Sequence, residues 1–184
     1  SCTRRSSGCR DWGITRVVAT PCPSIAARTS ASVVSPLLPV GEGPNDAGLS
    51  RRHLITQCGA SLRRRRTDRI DLYQAHQDDP KTPLEETLGA FADLIRVGKV
   101  RAIGASQYGP DRLVESLAAS KRLGIARYET LQPELNLHDR HAFERDLQPV
   151  ALEHGLAVIP FFGLAKGFLS GKYRSLADIT GRPR

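Results

Sequence analysis

Three groups of polar residues stand where buried apolar runs end. His76 closes the run Ile70-Asp-Leu-Tyr-Gln-Ala, Ser106 and Gln107 close Val100-Arg-Ala-Ile-Gly-Ala, and Gln132 closes Tyr128-Glu-Thr-Leu. A histidine at such an end can move a proton or a hydrogen bond near neutral pH. Hydroxyl and carboxamide side chains supply donor and acceptor together, the combination needed to hold a carboxamide. Further on, Phe161 offers a stacking face. The run Leu164-Ala-Lys-Gly-Phe-Leu-Ser-Gly-Lys-Tyr173 offers close backbone approach at its glycines and the charge of Lys166. Each also has an ordinary explanation. A strand-end histidine is often a satisfied structural residue, polar pairs suit surface loops, and Phe161 and Phe162 suit the core under a strand end. Their position at successive strand ends makes them candidates, because barrel enzymes build their sites there.

Elements of one repeated kind must position these groups. Residues 69–74 read as a strand, and Thr82-Pro-Leu-Glu85 then gives a capping box with proline at the first helical position. Leu84, Leu88, Phe91 and Ile95 recur at helical spacing, and Gly98 supplies a left-handed stop. The pattern repeats as strand 100–105, helix 110–123 ended by Gly124, strand 128–131, helix 139–154 ended by Gly155, and strand 156–160. Upstream, Ser50 can cap a helix whose apolar face is Leu54, Ile55, Cys58 and Leu62. Units of about thirty residues alternating strand and helix predict an α/β protein with a parallel sheet and right-handed crossovers. No Gly-x-Gly-x-x-Gly follows any strand, so a dinucleotide-binding open sheet has no support and a partial (β/α)8 barrel is expected.

Residues 1 to 40 read differently, being rich in Ser, Arg, Thr and Pro without periodicity, and a poorly ordered arm is expected there. Two apolar runs, 14–19 and 33–38, are bracketed or interrupted by Pro21, Pro23, Pro36 and Pro39. The sequence has no methionine, so Ser1 is not expected to be a translation start. The Arg- and Ser-rich opening has some transit-peptide flavour, but no apolar stretch of a secretory signal follows it. No run is long enough to span a bilayer, and a cytoplasmic chain is expected. The cysteines at positions 2, 9, 22 and 58 have no Cys-x-x-Cys spacing, so neither a zinc site nor a disulfide scaffold is expected. His138 and His141 lack an identifiable third ligand, so no metal is expected there either. A net charge of +8 raises the possibility of a polyanion partner. Much of it lies in the opening residues and in Arg63-Arg-Arg-Arg66, which reads as a solvated helix end favoured by the macrodipole. No aromatic residues interleave with those arginines and no recognition motif is present, so nucleic acid is not the expected partner.

From about residue 41 to 175 the motifs resemble the aldo-keto reductase family, which reduces carbonyls with NADPH on a (β/α)8 barrel. The resemblance implies an NADP-linked oxidoreductase acting on a small carbonyl substrate. It implies that His76 of Leu72-Tyr-Gln-Ala-His76 lines the substrate pocket and hydrogen-bonds the reacting carbonyl. It further implies that Ser106, Gln107 and Gln132 hold the nicotinamide carboxamide, with Gln107 standing where the family usually has Asn. Phe161 stands where a stacking Tyr is common, and Leu164 and Lys166 lie in the segment that cradles the cofactor's pyrophosphate. At Arg65-Arg66 the family usually has Leu-Gly.

Other parts of the family pattern are missing. Its proton donor is a Tyr whose pKa is lowered by a Lys paired to an Asp. The Asp and Tyr belong to an early Asp-Thr-Ala-x-x-Tyr-Gly stretch, and the Lys to a third-strand Ala-Thr-Lys. This sequence has neither stretch, no Tyr before Tyr73 and no Lys before Lys81. Where Ala-Thr-Lys would precede Gly41 it reads Val33-Val-Ser-Pro-Leu-Leu-Pro-Val40, as a reading-frame shift upstream would produce. A family barrel also runs to roughly 250 residues, so a truncated barrel is expected over residues 41–184. Such a barrel leaves exposed strand edges that favour self-association. Three functions follow: a carbonyl reductase with impaired turnover, a noncatalytic remnant of one, or a basic polyanion-binding module.

Overall fold

The computed structural model describes residues 33–34, 48–171 and 173, so most of the expected N-terminal arm and the last residues lie outside the described part. The element order is β1 (Val33–Val34), α1 (Arg51–Arg65), β2 (Ile70–Ala75), α2 (Leu84–Arg96), β3 (Val100–Ser106), α3 (Pro110–Leu123), β4 (Tyr128–Gln132), α4 (Gln148–Glu153) and β5 (Ala157–Val158). A π-helical turn, Phe143–Leu147, leads directly into α4, and a kinked 3-10 segment, Ala165–Ser170, follows β5. All neighbouring strands are parallel and lie in the order β1-β2-β3-β4-β5. Strictly sequential order with right-handed crossovers keeps every helix on one side of the sheet. A doubly wound sheet would reverse that order at a switch point, so this is the arc of a (β/α) barrel.

Local chemistry accounts for the helix ends. Ser50 Oγ accepts from the His53 amide at 3.4 Å, as an N-cap should. Gly124, at φ 63°, stops α3 in the left-handed conformation. Arg66 ends α1 in the same conformation, φ 52° and ψ 47°, and thus occupies without glycine a position that favours glycine. The capping box at Thr82 does not form. The Thr82 hydroxyl is 2.7 Å from Asp79 Oδ2, which also accepts from the Leu49 amide at 2.8 Å, and α2 starts after Pro83 with no side-chain cap. Asp79 thereby ties the β2–α2 connection to the entry of α1. On α1, Ile55 is exposed, and His53 and Ser61 join Leu54, Cys58 and Leu62 on the buried face.

The core lies between sheet and helices. Tyr73 meets Phe91 edge-on at 5.5 Å, Phe91 meets Tyr128 at 6.2 Å, and Tyr128 meets Tyr108 at 5.6 Å. These four rings join β2, α2, β4 and the β3–α3 turn, and such edge-to-face pairs add to the area that they bury. On the opposite, inner face the register sets Leu72 beside Ala102, Gln74 beside Gly104, Gly104 beside Thr130 and Ser106 beside Gln132. An irregularity after Ile103 breaks the alternation of β4. Tyr128 therefore packs in the helix layer, while Thr130 reaches Gly104 on the inner face.

Candidate functional site

Two layers of the inner face lead up to the strand ends. In the lower layer Gln74 and Thr130 flank Gly104. An ideal Cβ on Gly104 would lie 2.0 Å from Thr130 Oγ1 and 3.2 Å from Gln74 Cγ, so only glycine fits there. Both amide atoms of Gln74 and the Thr130 hydroxyl are buried with no hydrogen-bond partner among the described residues. Buried polar groups are nearly always paired, which sets this layer apart from an ordinary core.

The upper layer holds the residues expected to do chemistry. Ser106 is buried, and its hydroxyl donates to the Gln132 carbonyl at 3.0 Å. The Gln107 amide donates to the same carbonyl at 3.3 Å. Gln107 stands in the left-handed region at φ 53°, which turns its side chain back so that Nε2 donates to the His76 carbonyl at 3.2 Å. The ends of β2, β3 and β4 are thus tied together by the Ser-Gln pair. The His76 ring is exposed and makes no hydrogen bond among the described residues. The half-buried Gln132 side chain is likewise without a partner among them, leaving its donors and acceptor available.

The chain then extends the sheet by single contacts. Phe161 donates its amide to the Pro133 carbonyl at 3.0 Å, and Glu134 bridges Phe161 in parallel fashion. Phe161 is half-buried and meets Phe162 edge-on at 5.0 Å. Together with Gln107, Tyr108, Leu131, Phe143 and Leu147, Phe161 lines a cavity of about 290 Å³ beside the π-helical turn. Leu164 and Lys166 sit on the exposed segment beyond it. Lys166 Nζ lies 3.7 Å from Glu134 Oε1 and 4.8 Å from the centre of the Phe162 ring.

The structure therefore brings His76, Ser106, Gln107 and Gln132 to one edge, puts Phe161 at the next strand end, and places Leu164 and Lys166 in the following loop. Glu134, Gly104, Gln74 and Thr130 were not anticipated from the sequence. Only the parity of Gln74 and Gly104, each two residues before a strand-end candidate, could have signalled a shared face. The described tyrosines of the core do not resemble a proton donor. Burial pushes the Tyr108 phenol up to about 12, its contact with Tyr128 only partly opposing this. Burial likewise raises Tyr73 and Tyr128. The Tyr73 hydroxyl is committed to the Leu54 carbonyl at 3.0 Å, and those of Tyr108 and Tyr128 meet at 3.2 Å. Among the described residues no group of three or more His, Cys, Asp or Glu could hold a metal ion. None of the described helices is long and apolar enough to cross a membrane.

The model of the Aldo/keto reductase family matches residues 16–183. A protein of Arabidopsis thaliana described as "Probable voltage-gated potassium channel subunit beta" is 37% identical over 133 residues, 72% of this chain and 40% of its own length. An uncharacterized oxidoreductase of Bacillus subtilis is 38% identical over 144 residues, 78% of this chain and 44% of its own. The L-glyceraldehyde 3-phosphate reductase of Escherichia coli is 33% identical over 131 residues, 71% of this chain and 38% of its own. The chain thus spans less than half the length of these relatives in each alignment.

Proposed function

Because this chain belongs to the aldo/keto reductase family, we propose that it binds NADPH along the upper edge of its sheet and serves the reduction of aldehydes or ketones to alcohols, with turnover impaired. The observation that carries the reading is the Ser106–Gln132 pair. One buried hydroxyl and one uncommitted carboxamide stand side by side on neighbouring strand ends. The Ser106 hydroxyl, its proton given to the Gln132 carbonyl, keeps lone pairs to accept with, and the Gln132 carboxamide keeps both donor and acceptor, which together fit the carboxamide of a nicotinamide. Phe161 offers its ring as a stacking surface one strand further on, and Lys166 offers charge to the phosphates. Once bound, the reduced nicotinamide supplies the hydride to the carbonyl carbon.

The chain's own residues then have distinct tasks. Ser106 and Gln132 orient the ring, and Gln107 braces the His76 backbone. His76, exposed above the edge, hydrogen-bonds the carbonyl oxygen of the substrate and aligns it for attack. A proton donor is what the reading lacks. The family's Asp, Tyr and Lys motifs are not in this sequence, and Tyr73, Tyr108 and Tyr128 are buried, bonded elsewhere and made less acidic by burial. A positioned general acid contributes about 10²- to 10⁴-fold, so turnover falls by that order while binding persists. The same observation favours a second reading, a chain that binds the cofactor without turning it over. In either reading the free thiol at Cys58 and an NADPH ligand suit the cytoplasm, and self-association through uncovered strand edges is part of the same proposal.

Fluorescence titration with NADPH, followed by single-turnover oxidation with a panel of aldehydes, tests this. Saturable binding weakened about three- to tenfold by Ser106→Ala or Gln132→Ala is expected, as for the loss of one neutral hydrogen bond. Absence of saturation would sink the proposal. Rapid turnover would retain the cofactor reading and refute the impairment.

A further inference from the structure

Lys166 is paired to a carboxylate. Its ammonium lies 3.7 Å from Glu134 Oε1 and over the Phe162 ring. The backbone of Glu134 is bridged to Phe161 at the strand extension, which keeps its carboxylate within reach of Lys166. Lys166 is held on a strained support. Phe162, Ala165 and Lys166 all have left-handed φ, at 55°, 47° and 54°, in one short segment. Non-glycine residues in that region persist only where surrounding contacts hold them. The side chains of Lys166 and Glu134 are 51% and 39% exposed, so water and salt weaken their pairing and an anion of higher charge can replace the carboxylate.

We propose that Glu134 is a built-in competitor for phosphate at Lys166: it holds the lysine until a pyrophosphate group displaces it, and so sets the affinity for the dinucleotide. This rests on the NADPH reading above and adds the residue that opposes it. Binding exchanges one ion pair for another and leaves Glu134 to solvent. Removing the Glu134 charge therefore tightens cofactor binding, whereas removing a helper would weaken it.

The test compares NADPH affinity in the wild-type chain, Glu134→Gln, Lys166→Gln and the double variant, with inorganic pyrophosphate as a second probe. Glu134→Gln should bind both probes about two- to fivefold more tightly at low salt, the range an exposed pair supports, and lose the advantage near 1 M salt. In the Lys166→Gln background the same change should have no effect. Without any ligand, Lys166 should be acylated faster in Glu134→Gln than in wild type, as read by peptide mapping. Unchanged or weaker NADPH binding by Glu134→Gln, while wild type still binds, overturns the competition and leaves the cofactor reading standing. An equal gain in the Lys166→Gln background also overturns it, because the effect would then be general charge. If no variant binds NADPH, the reading beneath it falls as well. A tighter response to pyrophosphate alone assigns the site to free anions and overturns the dinucleotide role.

Discussion

Replacing Gly104 by alanine should cost stability out of proportion to one methyl group. The new Cβ would stand 2.0 Å from Thr130 Oγ1, with the Thr130 carbonyl and Gln74 Cγ each at 3.2 Å. The hydroxyl must retreat by more than an ångström to reach ordinary contact, and its residue is 2% exposed on a strand paired to the same neighbour. Overpacking of this kind costs about 1–3 kcal/mol, and with obstruction on three sides we expect the upper end, about 3 kcal/mol. For a domain of this size that lowers the thermal midpoint by roughly 6–12 °C. Thr130→Ala alone should be mild, because the hydroxyl it removes has no hydrogen-bond partner among the described residues. In the double variant only the two 3.2 Å contacts, to the Thr130 carbonyl and Gln74 Cγ, remain, so more than half of the loss should be recovered, giving a coupling of about 2 kcal/mol by urea unfolding. Wild-type stability in Gly104→Ala, or an identical cost in both backgrounds, would refute the packing of the inner face described above.

Arg66→Gly should stabilise the fold by about 1 kcal/mol, because it relieves a left-handed φ at the α1 cap, and thermal unfolding would register a rise of a few degrees. Asp79→Asn should destabilise it by about 1–3 kcal/mol. Burial opposes the Asp79 charge, but bonds from the Leu49 amide, Thr82 and the Lys81 amide overcome it and lower the pKa below 3.8. Its contribution is therefore present above that value and is lost as pH falls through the lower folded pKa, a loss that acid titration of Asp79→Asn should lack. In alkali the sign reverses. Tyr108 binds its proton more tightly folded than unfolded, so stability should hold below pH 10 and fall as pH rises toward about 12. Tyr108→Phe should flatten that fall.

The barrel arc was legible because strand and helix periods alternate cleanly. The helix 110–123 carries proline at its start and glycine after its end, and its observed bounds, Pro110–Leu123, are the expected ones. Strands were legible to within a residue or two, since β2 is Ile70–Ala75 rather than 69–74. What failed was chemistry decided by partners outside the motif. The Thr82 hydroxyl goes to Asp79 rather than to its own helix, which a four-residue motif cannot reveal. The helix expected at 139–154 contains a π-helical turn that leaves Phe143 in the cavity wall, and Pro149, which has no N–H to give the preceding turn, is the residue in that stretch that marks the irregularity. At the site, strand-end positions pointed to Ser106, Gln107 and Gln132 because a strand's end is a local property. The layer beneath them was hidden by the irregularity between β3 and β4, which defeats counting by twos. The hold of Glu134 on Lys166 joins residues 32 apart through the Phe161 bridge and has no local signature.

Thermal unfolding of the purified chain with and without NADPH tests the central claim most directly, since a ligand that binds only the folded state must raise the midpoint. A single cooperative transition is predicted, shifted upward by NADPH in proportion to the logarithm of its concentration, with the shift diminished in Ser106→Ala. A cooperative transition indifferent to NADPH would contradict the claim that this sheet edge is a cofactor floor.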